Sequence, residues 1–315
     1  MNFGDWIVLI DNILTSTVRL STPITLAALG AVICEKSGIV NIAMEGLMLM
    51  GAFFAAWIAL VTGNPWMGVL AGIIGGGIFS LLHAWATITL HLNHVISGAV
   101  INILAYGLTR YFMVLIFGHP GTTPMITNNL SNYRFAVPIL SEIPLIGNAL
   151  FNQTPIIYMT FILVLAIIFL MNKTRLGLHI KASGEHPMAL ETMGVSVKKI
   201  RYISVLASGL LCGLGGAFLS IEDVASFNEG MTSGRGFIAL AANVSGGWSP
   251  VGAFIASLFF GFVNALQTRF QTWKILPIDA EYFLMFPYIA TVIAVAGLVR
   301  KSRAPKASGE DFTIE

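Results

Sequence analysis

Lys173 to Arg201 reads KTRLGLHIKASGEHPMALETMGVSVKKIR and holds six of the chain's seventeen Lys and Arg residues. Apolar runs at about 155–172 and 202–222 flank this polar island, each long enough to cross a bilayer as a helix. A basic loop between two spans marks the side that stays inside. Pro187 suits the first turn of a short helix, Glu185 is favoured near the positive end of its dipole, and Gly194 is a natural stop. Gly184 to His186 therefore reads as the helix start, with Met188, Leu190 and Met193 needing a partner surface.

Working outward, the 315 residues are 56% hydrophobic and 10% charged, against about 25% charged in a soluble domain. Such a chain would expose large apolar patches in water, which excludes the soluble classes. Further runs at about 12–33, 41–62, 66–90, 94–117, 250–268 and 282–299 complete eight candidate spans. A shorter Gly/Ala/Ser-rich run at about 234–247 reads as a broken or re-entrant helix. The expected fold is all-α, a polytopic integral membrane protein of about 8–10 helices. Gly-Ala-Phe recurs at 51–53 and 252–254, a hint of internal duplication.

Arg300, Lys301, Arg303 and Lys306 follow the last run, so ten of seventeen basic residues fall in two segments, both expected in the cytoplasm. Counting spans back from the island puts the N-terminus outside, with Trp6–Leu20 read either as a surface helix or as part of the first span. The Pro/Asn/Thr-rich segment 118–154 then lies outside as a cap or docking surface. The acidic end, with Glu310, Asp311 and Glu315, reads as a disordered tail. No basic region precedes the first run, so no cleaved signal is expected.

Three further polar features interrupt the apolar background. Asn41 and Glu45 stand four apart on one helix face at the mouth of the second span, and an ionisable residue there marks a pathway or a packing partner. Asn93 opens the fourth span and Asn102 sits about two turns in, facing either a cavity or another helix. Asn243 and Ser245 lie in the broken run, just before Gly246-Gly247 and Pro250. Cys34 and Cys212 read as small buried side chains, and no metal cluster is available. The chain has no phosphate loop, nucleophile elbow or zinc pair, and no basic arm for a nucleic acid polymer.

Four stretches, EKSGIVNIAMEGLMLMGA (35–52), NHVISGAVINILAYGLT (93–109), GEHPMALETMGV (184–195) and GRGFIALAANVSGGWSPVGA (234–253), resemble permease subunits of bacterial ABC importers. The resemblance is to the branch serving nucleosides and simple sugars, related to the branched-chain amino-acid and ribose permeases. His94 departs from the acidic or amide residue that the family pattern suggests after Asn93. The resemblance implies a transmembrane permease domain over 1–300 and a cytoplasmic tail over 301–315, in the bacterial inner membrane. It implies a second permease subunit, an external substrate-binding protein, and cytoplasmic ATP-binding subunits that hold ATP and Mg, with no cofactor in this chain. It makes 173–201 a coupling loop whose Gly184, Glu185, Pro187, Ala189, Glu191 and Gly194 engage the ATPase. Asn41, Glu45, Asn93, Asn102, Asn243 and Ser245 become candidates for the substrate path. An ion-gradient-driven transporter is the rival reading and would need membrane carboxylates, for which Glu45 is the main candidate.

Overall fold

The computed structural model describes residues 3–138, 140–143, 147–273, 285–298 and 303–312. The first helix, α1 (Phe3–Lys36), runs unbroken for 34 residues, about 51 Å. Trp6–Leu20 is thus continuous with the first candidate span rather than a separate surface helix. Pro23 lies inside it, and in the turns before it Thr17 bonds Ile13 C=O while Ser21 and Thr22 both bond Val18 C=O.

The next elements follow local signals. Helix α2 (Met44–Thr62) stops at Gly63, whose φ of 66° few other residues accept. Helix α3 (Pro65–Ala84) starts from Asn64, which accepts the Trp66 N–H, and ends in a π-helical turn, Trp85–Thr89. Asn93 caps α4 (His94–Phe117) in the same way. Segment 118–154 holds a two-residue antiparallel ladder, β1 (Phe135–Ala136) with β2 (Asn152–Gln153), and the short α5 (Gly147–Phe151). It lies against 225–229 through Thr123 N–H to Phe227 C=O and Ile126 N–H to Ala225 C=O.

Beyond it come α6 (Pro155–Lys173), α7 (Arg175–Glu185), α8 (Pro187–Thr192) and α9 (Val197–Ala217), which continues as a π-helical turn, Phe218–Asp223. Helix α10 (Arg235–Ser245) has eleven residues, about 16 Å, long enough for only half a bilayer. Then follow α11 (Pro250–Trp273) and α12 (Phe286–Leu298). Seven helices among the described residues are long and apolar enough to cross a membrane. The expected eighth run contains α12, although 282–284 and 299 lie outside the described residues.

Alternating helix directions give the molecule two polar ends. Lys36, α7, α8, the start of α9 and residues 303–312 share one, here the basic end; Gly63, 118–154 and 224–229 share the other. Three sequence expectations change at the basic end. The island is two helices rather than a loop with one, and Gly184 and Glu185 close α7 instead of opening α8, because the chain stays helical from Arg175. Leu190 is fully buried inside this chain, whereas Met188 and Met193 remain 56% and 70% exposed. The acidic end is not disordered over 303–312: Ala307 N–H bonds Gly184 C=O at 2.8 Å and Gly309 N–H bonds Gly38 C=O at 2.9 Å. Glu315 lies outside the described residues.

Helices α2, α3 and α9 meet along glycines, so their backbones touch. A Cβ added at Gly76 would lie 2.4 Å from Gly209 O, one at Gly213 would lie 2.3 Å from Gly72 O, and one at Gly216 would lie 2.0 Å from Met48 O. Small residues at such seams replace the hydrophobic drive that is missing between helices in lipid. The two Gly-Ala-Phe triplets differ in setting: Gly51 packs on the Gly213 backbone, while Gly252 lies against Gly246 in a turn. Gly213→Val is expected to cost about 3 kcal/mol, the upper end for overpacking, because rigid backbone rather than a movable side chain occupies the space. A detergent-solubilised variant should show a clearly lowered Tm; an unchanged Tm removes the seam from the account.

Candidate functional site

The link between α1 and α2, Ser37–Ala43, has no regular structure, yet it is largely buried. Non-helical backbone at such depth needs partners for its polar groups. Side chains from the surrounding helices supply them. Ser183 of α7 donates to Ser37 C=O at 2.9 Å, His83 of α3 meets Val40 C=O at 3.1 Å, and Asn102 of α4 donates to Ile42 C=O at 2.9 Å. Val40 N–H donates to Nδ1 of His94 at 3.3 Å. A carboxylate or amide oxygen at position 94 would accept the same proton, so the departure at His94 keeps the acceptor. Because a carbonyl only accepts, His83 carries its proton on Nε2, leaving Nδ1 to accept from the Ser97 hydroxyl at 3.0 Å.

The candidate path residues divide into two groups. Asn41, Glu45, Asn102 and Asn243 are all buried and form a network joined through the backbone of residues 35–46. Asn41 donates to Ser208 Oγ of α9 at 3.1 Å and accepts from Ala43 N–H, while Asn102 accepts from Gly46 N–H at 2.8 Å. Ser245 is half-buried and bonds Ala241 C=O within its own helix. Asn93 is exposed at the basic end and caps α4, accepting from Val95 N–H and Ile96 N–H. It stands apart from the network.

Two carboxylates hold the half-helix α10. Glu45 Oε1 accepts from Gly234 N–H and Oε2 from Gly236 N–H, each at 2.8 Å, at the positive end of the helix dipole. Only glycine allows this approach, since a Cβ at Gly236 would lie 2.5 Å from the Glu45 nitrogen. At the other end, Glu35 Oε2 accepts from Asn243 Nδ2 at 2.8 Å and from the Trp248 indole at 2.5 Å. Glu35, Trp248, His83 and Ser208 were not among the candidates read from sequence. Their available signals were a carboxylate at the end of an apolar run and a Trp directly after Gly246-Gly247.

The coupling candidates cluster on a second surface at the basic end. Pro187 opens α8, Ala189 is exposed, and Gly194 takes φ 79° just after it. Glu191 turns inward, where its carboxylate accepts from Val197 N–H at 2.7 Å and caps α9. Gly184 lies where a Cβ would come 2.4 Å from Lys36 O, so α7 is locked against the end of α1. At the opposite end, Arg19 pairs with Asp223 at 2.6 Å beside Glu222, which accepts from the Thr154 hydroxyl and from Ile156 N–H.

A bundle of membrane-crossing helices with a half-length helix held by buried carboxylates, and with short helices projecting at one end, has the build of a transport permease. Residues 13–295 match the family described as branched-chain amino acid transport system, permease component, and the chain belongs to that family. It is 40% identical over 322 residues to the guanosine ABC transporter permease protein NupQ of Bacillus subtilis, covering 98% of each chain. It is 36% identical over 308 residues to the nucleoside ABC transporter permease protein NupC of Lactococcus lactis, covering 95% of this chain and 96% of that one. No solved structure matches it.

The two carboxylates make contrasting predictions. Glu35→Gln keeps one oxygen able to accept both of its donors, so stability and uptake should stay near wild type. Glu45→Gln points an NH₂ group at one of two backbone N–H groups and is expected to cost about 1.5–3 kcal/mol. Thermal unfolding in detergent checks both variants, and equal effects at the two sites would overturn the assigned geometry.

Proposed function

We propose that this chain is the membrane permease subunit of an ATP-binding cassette importer for nucleosides. The observation that carries the reading is its similarity, over nearly the full length of both chains, to permease proteins named for guanosine and for nucleosides. In this reading the basic end faces the cytoplasm and the N-terminus faces outward, as the distribution of Lys and Arg favours. An external binding protein delivers substrate to the end formed by 118–154 and 224–229. A second permease subunit completes the path, and cytoplasmic ATP-binding subunits, holding ATP and Mg, supply the energy. The membrane is the bacterial cytoplasmic membrane.

The mechanism is alternating access. Closure of the ATP-binding subunits pushes α8, and the push passes through α7 to the 37–43 link by way of Gly184 and Ser183. From there Asn41, Glu45, Asn102 and Asn243, with Glu35, carry it to α10, which borders the path. These side chains set the position of α10, and Ser245 and Asn93 stand at its lower end and at the mouth of α4. Substrate moves as loose contacts change rather than through any bond-making step, so tight first contacts are not required.

Proteoliposomes holding the assembled transporter should take up radiolabelled guanosine only with ATP inside the compartment facing the basic end, with excess adenosine competing and glucose not competing. Uptake that persists without ATP but collapses with the ion gradient would establish the secondary-transport alternative. Ala189→Trp is the cleaner probe of coupling, since Glu191 also caps α9: substrate-stimulated ATP turnover should fall at least about tenfold while membrane insertion is kept. Normal stimulated turnover in that variant removes α8 from the coupling surface.

A further inference from the structure

The segment Arg303–Phe312 is fastened where α1, α7 and α9 converge. Ala307 N–H bonds Gly184 C=O at 2.8 Å, Gly309 N–H bonds Gly38 C=O at 2.9 Å, and Nη1 of Arg201 bonds Glu310 C=O at 3.0 Å. Arg201 is 97% buried by its 3% exposure, its Nε and Nη2 have no hydrogen-bond partner, and Glu310 and Asp311 act on it electrostatically. The joint is closed on glycine: at Gly38, with φ 98°, a Cβ would sit 2.9 Å from Nη2 of Arg201 and 3.0 Å from Ala307 O. A ten-residue segment held by backbone bonds at two helix ends is a fixed part of this surface.

What the segment builds is a groove. Between it and α8 lies a cavity of about 690 Å³, with Glu185, Met188 and Ala189 on one side and Lys306, Glu310 and Asp311 on the other. Three carboxylates, Lys306 and His186 line it, with the buried Arg201 against Glu310 and Asp311, at the end of the molecule where Lys and Arg otherwise concentrate. Met188, more than half exposed, supplies an apolar floor beside them. An acidic trough with an apolar floor complements a Lys or Arg flanked by apolar side chains. The groove is continuous with the exposed face of α8.

We propose that this C-terminal segment is the second wall of the surface that receives the cytoplasmic ATP-binding subunit, and that the groove takes a basic, apolar-flanked segment of that subunit. The inference rests on the coupling role given to α8 above. It adds that force reaches α1 and α9 directly through Gly38 and Arg201, as well as through α7. The segment ties the docked partner to the same 37–43 link that α7 engages.

The test uses the complete chain, with its ATP-binding partner titrated onto permease reconstituted in nanodiscs. The double substitution Glu310→Gln with Asp311→Asn removes charge at two exposed positions while leaving the backbone bonds in place. Expected is about tenfold weaker binding of the ATP-binding subunit and loss of the salt sensitivity expected of wild-type binding. Any fall in Tm is traced to Arg201 losing its counter-charges. Met188→Ala should weaken binding as well, without changing that salt sensitivity. If the double variant binds as wild type while Ala189→Trp uncouples, the tail inference falls and the α8 reading stands. If both are silent, both fall. Should the double variant lose Tm, Lys306→Glu is the second probe: it deepens the acidic trough, so tighter binding supports the proposal and unchanged binding overturns it.

Discussion

The rest of the fold depends on seven residues of irregular backbone set among membrane helices. Ser37–Ala43 satisfies only part of its backbone polar groups locally, such as Ser37 N–H and Gly38 N–H on the end of α1. Each neighbouring helix therefore contributes a polar side chain to it: Ser183 from α7, His83 from α3, His94 and Asn102 from α4, while Asn41 reaches Ser208 on α9. An unpaired buried backbone group costs about 1–3 kcal/mol, so the helices are fixed relative to this link more strongly than apolar contact alone would fix them. The link is a hub because its hydrogen-bonding demand is large and local.

The hub also explains why α10 stands where it does. A half-length helix leaves unsatisfied N–H groups at mid-depth, and the two oxygens of Glu45 meet two of them. Glu35 meets the turn that ends the helix through Asn243 and Trp248. Both carboxylates belong to residues 35–45, so the ends of α10 are referred to the same short stretch that α7, through Ser183, also touches. A displacement at the basic end has a route through hydrogen bonds, glycine contacts and the backbone of residues 35–46 to the half-length α10. Its stiffness comes from polar bonds in a low-dielectric setting, where breaking any one is expensive.

Much of this was legible from the chain as written. The spans, the break after Ser245, the turn at Gly194 and the start of α8 at Pro187 follow from hydrophobic length and from residues with narrow backbone preferences. Asn41, Glu45, Asn102 and Asn243 stood out because polar groups in an apolar run must be used for something. The misreadings have separate causes. Gly184 and Glu185 were assigned to the wrong helix because Gly beside Glu-His-Pro fits a helix end or a helix start equally well. The acidic end looked disordered because composition describes the solvent preference of side chains, whereas backbone bonds to Gly184 and Gly38 and the Arg201 guanidinium hold it.

The sequence by itself determined that this is a multi-span helical membrane protein with a basic end, because span length and charge placement are properties of contiguous residues. It also determined the family, because four separated motifs keep their order. Only the tertiary structure decided what each polar residue does. Glu45 and Gly234 lie 189 positions apart, and Glu35 and Trp248 lie 213 apart, so no local pattern pairs them. Whether a buried carboxylate lines a path or holds a helix depends on which N–H groups come within 3 Å of it. Packing of distant segments sets that distance.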